Sequence, residues 1–482
     1  MTETDDQYWC TRFLFQRCLA CIYLIGFLIA LNQYLPLVGE HGLEPLRLLL
    51  KLREVKFWDA PSLFWIDGSD RFVMKVIWSG LALSIFALLG LSERLGIWVS
   101  VGVWFLLWVL YSSLVNVGGT FYGFGWEMML LESGFLAIFL GSAKVRTPVI
   151  VIWLIRWMLF RLMFGAGMIK IRGDACWRDL TCLTYHYETQ PLPNPLSWWF
   201  HHTPIWFHKL EVLFNHFVEL VVPFFLFTPR QVRYIAGLLT AFFQAILILS
   251  GNLSWLNYLT IVLCIACFDD RFLSRFLPVR KPETQADSVP HQCAVVALAL
   301  LVAVLSLQPA MNLVSEHQAM NLSYDPLHIV NTYGAFGSVT PVRNELIIEG
   351  TYDERPSDSS IWREYEFKGK PGDVSRMPSL VSPYLYKIDW QMWFAAMTPQ
   401  VHDRWFVNFV RKLLEGDKGA LSLIERNPFP LYPPKYIRVR RYVYHFTDAN
   451  DRSGHWWTRK LEGQYMPPLS LPDLNKLVPP EP

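Results

Sequence analysis

Apolar runs recur along the chain as far as about Ala310 and then cease. A helix needs about 20 mostly apolar residues to cross the hydrocarbon core of a bilayer. Nine segments approach that length, at 13–37, 73–91, 97–115, 125–140, 149–169, 212–227, 235–249, 256–268 and 293–307. Backbone exposed to lipid has no water to satisfy it, so each is expected to be helical, with the shorter ones tilted or re-entrant. Beyond Met311 the pattern changes. Alternation of apolar and polar positions predicts strands over 345–351, 362–367 and 436–446, and amphipathic helices over 384–396 and 404–414. The expected fold is therefore an α-helical polytopic membrane bundle of about nine spans, residues 1–311, followed by a β-rich α+β domain, residues 312–482, outside the bilayer.

Composition agrees with this division. Of the 482 residues, 52% are hydrophobic and only 17% charged, against about a quarter charged in an ordinary soluble chain. The net charge of +2 gives no support to a nucleic-acid partner. The first residues are acidic, where a cleavable signal would be basic, so the first apolar run is read as a span.

The short loops set the orientation. Those holding Arg94, Lys144 with Arg146, Arg230 with Arg233, and Arg271, Arg275, Arg280 and Lys281 are basic. The intervening loops 116–124 and 251–254 carry no charge. The alternation fits nine spans, and the positive-inside rule places the basic loops and the N-terminus in the cytoplasm. The C-terminal domain and the long loops 38–72 and 171–209 then face the periplasm, a lumen or the exterior.

Charges inside spans are costly and call for partners or a polar cavity. Glu127 and Glu132 lie in the fourth span, Arg156 and Arg161 in the fifth with Lys170 at its outer end, and Glu211, His216 and Glu219 in or beside the sixth. Helical spacing puts Glu211, Asn215 and Glu219 on one stripe that His208 extends. Acids and bases nearly balance, so at least two of the glutamates are expected to pair with Arg156, Arg161 or Lys170. Such pairs either fix helix register or line a functional cavity, and the sequence leaves both readings open.

The loop after the fifth span is the densest in chemistry. Its aromatic run around Trp198 and Trp199 suits the membrane interface. His201, His202 and His208 match no metal-site spacing, so no metal is assigned. Cys176 and Cys182 lie in the same loop. On a continuous helix they would sit about 9 Å apart, beyond bridging distance, so a disulfide requires the loop to turn. A bridge and a reduced, buried pair both remain open. The cysteines in or near spans read as small packing residues.

Several long segments carry a resemblance. FGWEMMLLESGFLAIFL (124–140), GAGMIKIRGDACWRDLTC (165–182), HYETQPLPNPLSWWFHHTP (186–204) and FNHFVELVVPFF (214–225) closely resemble lipase maturation factors. So do YGAFGSVT (333–340), WREYEFKGKPGD (362–373), SPYLYKIDWQMWFAA (382–396) and the tail around HWWTR (455–459). The resemblance implies a membrane protein, of the endoplasmic reticulum or of a bacterial inner membrane, that helps exported dimeric lipases fold and assemble. Its implied partners are membrane lipid and a client such as a lipase, with no cofactor. The helix end at Lys170, Asp174 and Trp177 is also distantly similar to vitamin K-dependent γ-carboxylases, whose lysine near that place is a base. That similarity would make Lys170 a candidate base, with His186 or Glu188 beside it; the simpler reading is a snorkelling charge at the interface.

The outer domain holds no nucleophile elbow, phosphate loop or zinc-helix motif. The resemblance makes maturation of exported proteins by binding the expected function, with a γ-carboxylase-like membrane enzyme acting on a lipid, quinone or peptide near Lys170 as the alternative. A binder relies on the aromatic and polar surface of the outer domain. An enzyme asks for a closed polar cavity joining the fourth, fifth and sixth spans.

Overall fold

The apolar runs close into a helical bundle in the computed structural model, which describes residues 7–51, 55–279, 281–357, 359–401 and 403–477. The main helices are α1 (Trp9–Val38), α2 (Asp70–Leu88), α3 (Ile97–Asn116), α4 (Gly125–Ile138), α5 (Val149–Arg172), α6 (Ile205–His216), α7 (Arg230–Ser250), α8 (Leu256–Cys264) and α9 (Val289–Leu305). Among the described residues seven helical stretches are long and apolar enough to cross a membrane, α6 counting as far as Phe227 and α9 as far as Val314.

The other two expected spans are shorter. α4 has 14 residues, and α8 has 9 followed by a 3-10 turn over Ile265–Cys267. Nearly every residue of α4 is buried, its two glutamates included. It is an inner helix enclosed by protein, so the length rule for a lipid-facing helix binds it less tightly. The sixth expected span starts earlier than its apolar run, directly after Pro204, where the missing N–H costs nothing. It then loosens into a π turn over Phe217–Val221 and a 3-10 turn over Val222–Phe227, where Pro223 cannot donate to a regular ladder.

Contacts divide the loops between the two ends of the bundle. At one end Trp9 donates to the Ala143 carbonyl at 2.9 Å, Arg12 to the Val145 carbonyl at 2.7 Å, and Asp270 through its N–H to Gln7 at 2.9 Å. Arg17 pairs with Glu93 at 2.9 Å and Arg230 with Asp269 at 2.6 Å. The basic loops thus gather at this end; Arg280 and residues 1–6 lie outside the described residues. At the other end the uncharged loop after α3 meets the long outer loops, where Thr120 donates to Glu44 at 3.0 Å. The Gln190 side chain likewise donates to the Ser250 carbonyl at 2.8 Å.

The C-terminal part seats on that second end. Its four-stranded antiparallel sheet runs β2-β1-β3-β4, with β1 Arg343–Thr351, β2 Arg363–Glu364, β3 Tyr436–Phe446 and β4 Trp457–Leu469. β4 is not among the expected strands; it contains Pro467 and Pro468 and lies at a sheet edge, where proline is tolerated. Across the central pair Glu349 faces Arg438 in register and their side chains meet at 2.6 Å. The expected helices form as α10 (Lys387–Met397) and α11 (Arg404–Glu415). Trp390, Trp405 and Trp457 are buried core, so these three are not a docking face. One apolar core continues from α1 through α5 into α10 and α11.

Candidate functional site

The intramembrane charges resolve into three buried clusters. Lys170, in the last turn of α5, donates to Glu219 at 2.7 Å and to Asn215 at 2.9 Å. Asn215 in turn donates to the other oxygen of Glu219 at 2.9 Å, so the stripe read from the sequence survives the π turn. Arg161 of α5 pairs with Glu132 of α4. Arg161 also donates to the Asn331 carbonyl at 2.5 Å, and Glu132 accepts from Asn331 N–H at 3.1 Å and Tyr333 at 2.8 Å. The third cluster was not foreseen in full. Glu127 accepts from Lys387 of α10 at 2.7 Å and from Tyr111 of α3 at 2.5 Å.

The remaining candidates go elsewhere. Arg156 meets no glutamate among the described residues; it donates to the Ala266 carbonyl at 2.8 Å, where α8 ends, and to the Tyr8 hydroxyl at 3.1 Å. Glu211 accepts from Tyr187 at 2.9 Å and contacts His208 Nδ1 at 3.2 Å. His216 Nε2 lies 3.0 Å from the Trp177 carbonyl. Glu188 turns away from Lys170 toward β3, accepting from Phe446 N–H at 2.9 Å and meeting His445 at 3.0 Å. His201 sits 3.8 Å from Glu188, and His202 contacts its own helix at the Trp198 carbonyl.

Cys176 and Cys182 form a disulfide with Cα atoms 4.8 Å apart. The turn that a bridge requires is made at Leu180, whose φ is 58°. The Thr181 N–H closes it on the Cys176 carbonyl at 2.8 Å.

A cavity of about 1300 Å³ lies beside the Lys170 cluster. It takes wall residues from α4 to α8, from the segment 320–341 and from α10. Lys170, His186, Glu211, Asn215 and Glu219 reach it, but most of the wall is apolar, Met163, Phe243, Leu247 and Phe394 included. It is therefore not the closed polar chamber that an enzyme between the fourth, fifth and sixth spans would need. His186 is pushed down to about 4 by burial first and by the Lys170 charge second, so its imidazole is neutral near pH 7.

With this geometry in view, two family models match in sequence order. "Lipase maturation factor transmembrane domain" covers residues 10–275 and "Lipase maturation factor C-terminal domain" covers 329–467. This chain belongs to the lipase maturation factor family. It is 45% identical to lipase maturation factor 1 of Homo sapiens, over 97% of this chain and 89% of that protein. Identity to lipase maturation factor 1 of Mus musculus is also 45%, over 97% and 88%. With lipase maturation factor 2 of Xenopus tropicalis it is 30%, over 94% and 82%. No solved structure matches.

The two parts of this family's architecture are joined by the polar clusters. Glu127 and Glu132 fall in the transmembrane match, whereas Lys387, Asn331 and Tyr333 fall in the C-terminal match. Further ties run from Gln33 to the Leu385 carbonyl at 2.7 Å and from Arg343 to the Gln190 carbonyl at 2.5 Å. The sequence carried a signal for Lys387, as a lone cation in the apolar and aromatic run SPYLYKIDWQMWFAA.

Proposed function

We propose that the chain is a membrane-embedded maturation factor that assists folding or assembly of exported lipases, and that it acts by binding. The observation that carries this is likeness over almost the whole length to proteins named lipase maturation factors. The γ-carboxylase-like alternative is not favoured. Lys170 already donates to two acceptors, and the cavity beside it is mainly apolar. Co-expressing the chain with a dimeric secreted lipase, in a host lacking its own maturation factor, is expected to raise active secreted lipase. Unchanged lipase activity with equal lipase synthesis would refute the reading.

The orientation proposed with it has nine crossings, α4 and α8 among them. Residues 1–311 are embedded, the basic-loop end faces the cytoplasm, and residues 312–482 lie in a periplasm or in the lumen of the endoplasmic reticulum. Support comes from the gathering of basic loops at one end and of uncharged loops at the other. Alkaline phosphatase fused after Pro482 is expected to be active in a bacterial host. A cytoplasm-only reporter active at the same position would reverse the orientation.

A further inference from the structure

We propose that the large cavity binds one zwitterionic membrane phospholipid, which reaches it sideways from the bilayer between α6 and α7. Three observations carry the proposal. The first is size and wall chemistry. At about 30 Å³ per molecule, a filling of water would set about 40 waters against mainly apolar walls, which is unfavourable. Its volume of about 1300 Å³ exceeds the ~300–1000 Å³ usual for small-molecule pockets. Hydrocarbon chains from the surrounding bilayer match it in both respects.

The second is where it opens. The outward stripe of α7 is Ile235, Leu238, Phe242 and Leu249, exposed at 58%, 49%, 58% and 51%. The side turned to the cavity carries Phe243, Ile246 and Leu247. Phe242 belongs to both sets. On α6 the same double membership falls on Leu210, which lines the cavity and is 53% exposed. Phe214 spans the gap, its ring 6.2 Å from that of Phe242. One opening therefore lies on the lipid-facing surface, and Met320, Phe394 and Met397, which also both line the cavity and are exposed, mark another beside the C-terminal part. At 1.5 Å per residue, Phe242 sits about 12 Å below Ser250, the end of α7 nearest the C-terminal domain. A chain from the adjoining leaflet reaches it without crossing water.

The third is the polar end. The charged residues of the wall are Lys170, paired with Glu219, and three further carboxylates, Asp174, Glu211 and Asp403. That excess of negative charge opposes an anionic headgroup and favours one bearing an ammonium group. Trp177 already holds one ammonium over its ring, with Lys170 Nζ 5.0 Å from the centroid, so this wall accommodates such a cation. His186 Nδ1 is buried with no hydrogen-bond partner among the described residues, which leaves a polar atom for a headgroup to engage.

The test uses the full chain in nanodiscs of equal phosphatidylcholine and phosphatidylglycerol. A trace of either lipid carries a diazirine at mid-chain, and peptides are mapped after photolysis. The phosphatidylcholine probe is expected to label Met163 and Leu247, and the phosphatidylglycerol probe to label them about tenfold less, a difference of about 1.4 kcal/mol. Leu247→Trp, which adds bulk to the α7 wall of the cavity, is expected to lower labelling of Met163 and to spare the outward Leu238. Ala166→Leu adds bulk to the α5 wall and serves as a second variant. Labelling confined to the outward stripe, equal labelling by both probes, or labelling of Met163 left unchanged by both folded bulkier variants each overturns the proposal. So does native mass spectrometry that finds a peptide, a sterol or an isoprenoid retained in place of phospholipid.

Discussion

Lys387→Met is expected to destabilise the protein by about 3–5 kcal/mol, the usual cost of leaving one member of a buried ion pair uncompensated. Lys387 and Glu127 have fully buried side chains and meet at 2.7 Å. Lys387 also donates to the Phe121 carbonyl at 3.0 Å and lies 3.7 Å from the centre of the Tyr122 ring. Without the ammonium, Glu127 keeps only the Tyr111 hydroxyl among these partners. Because Lys387 opens α10, the loss falls where the C-terminal part is pinned to the bundle. The measurements are thermal unfolding in detergent and protease sensitivity between residues 312 and 477. Glu127→Gln combined with Lys387→Met removes both charges and is expected to recover most of the loss, since an uncharged pair has far less to desolvate. A single variant as stable as the parent would show that the pair holds nothing together.

Much of this architecture was legible because membrane sequences are constrained at the level of single residues. Apolar runs, uncharged loops and isolated arginines between them follow from the cost of polar groups in lipid, so they appear without knowledge of packing. That buried glutamates such as Glu219 need cations followed from the same cost, whereas the choice of Lys170 as its partner is read from the structure. What stayed hidden depended on contacts between distant segments. Glu127 finds its cation 260 residues away on α10. Arg156 is satisfied by a carbonyl freed at the end of α8, which no residue type announces. Glu188 is two residues from His186, yet the short helix Leu183–Thr189 turns His186 into the cavity and Glu188 toward β3. The bridge between Cys176 and Cys182 hinged on a positive φ at Leu180, a residue that rarely adopts one.

The second large effect lies at Lys170, where two substitutions separate a structural cation from a reactive one. Lys170→Met leaves Glu219, 3% exposed, with Asn215 as its partner in the cluster. The expected cost is again about 3–5 kcal/mol, read as a fall in folded yield from membranes. Lys170→Arg keeps the positive charge, and the adjoining cavity gives the larger guanidinium room to reach Glu219 and Asn215. Yield and lipase maturation are therefore expected to stay near the parent level. Arginine remains protonated at any pH a cell reaches, so it cannot replace a lysine that must accept a proton. Normal maturation with arginine thus removes Lys170 from any proton-transfer role. Lost maturation at unchanged yield would instead count against action by binding alone, because the fold and the charge would both be intact.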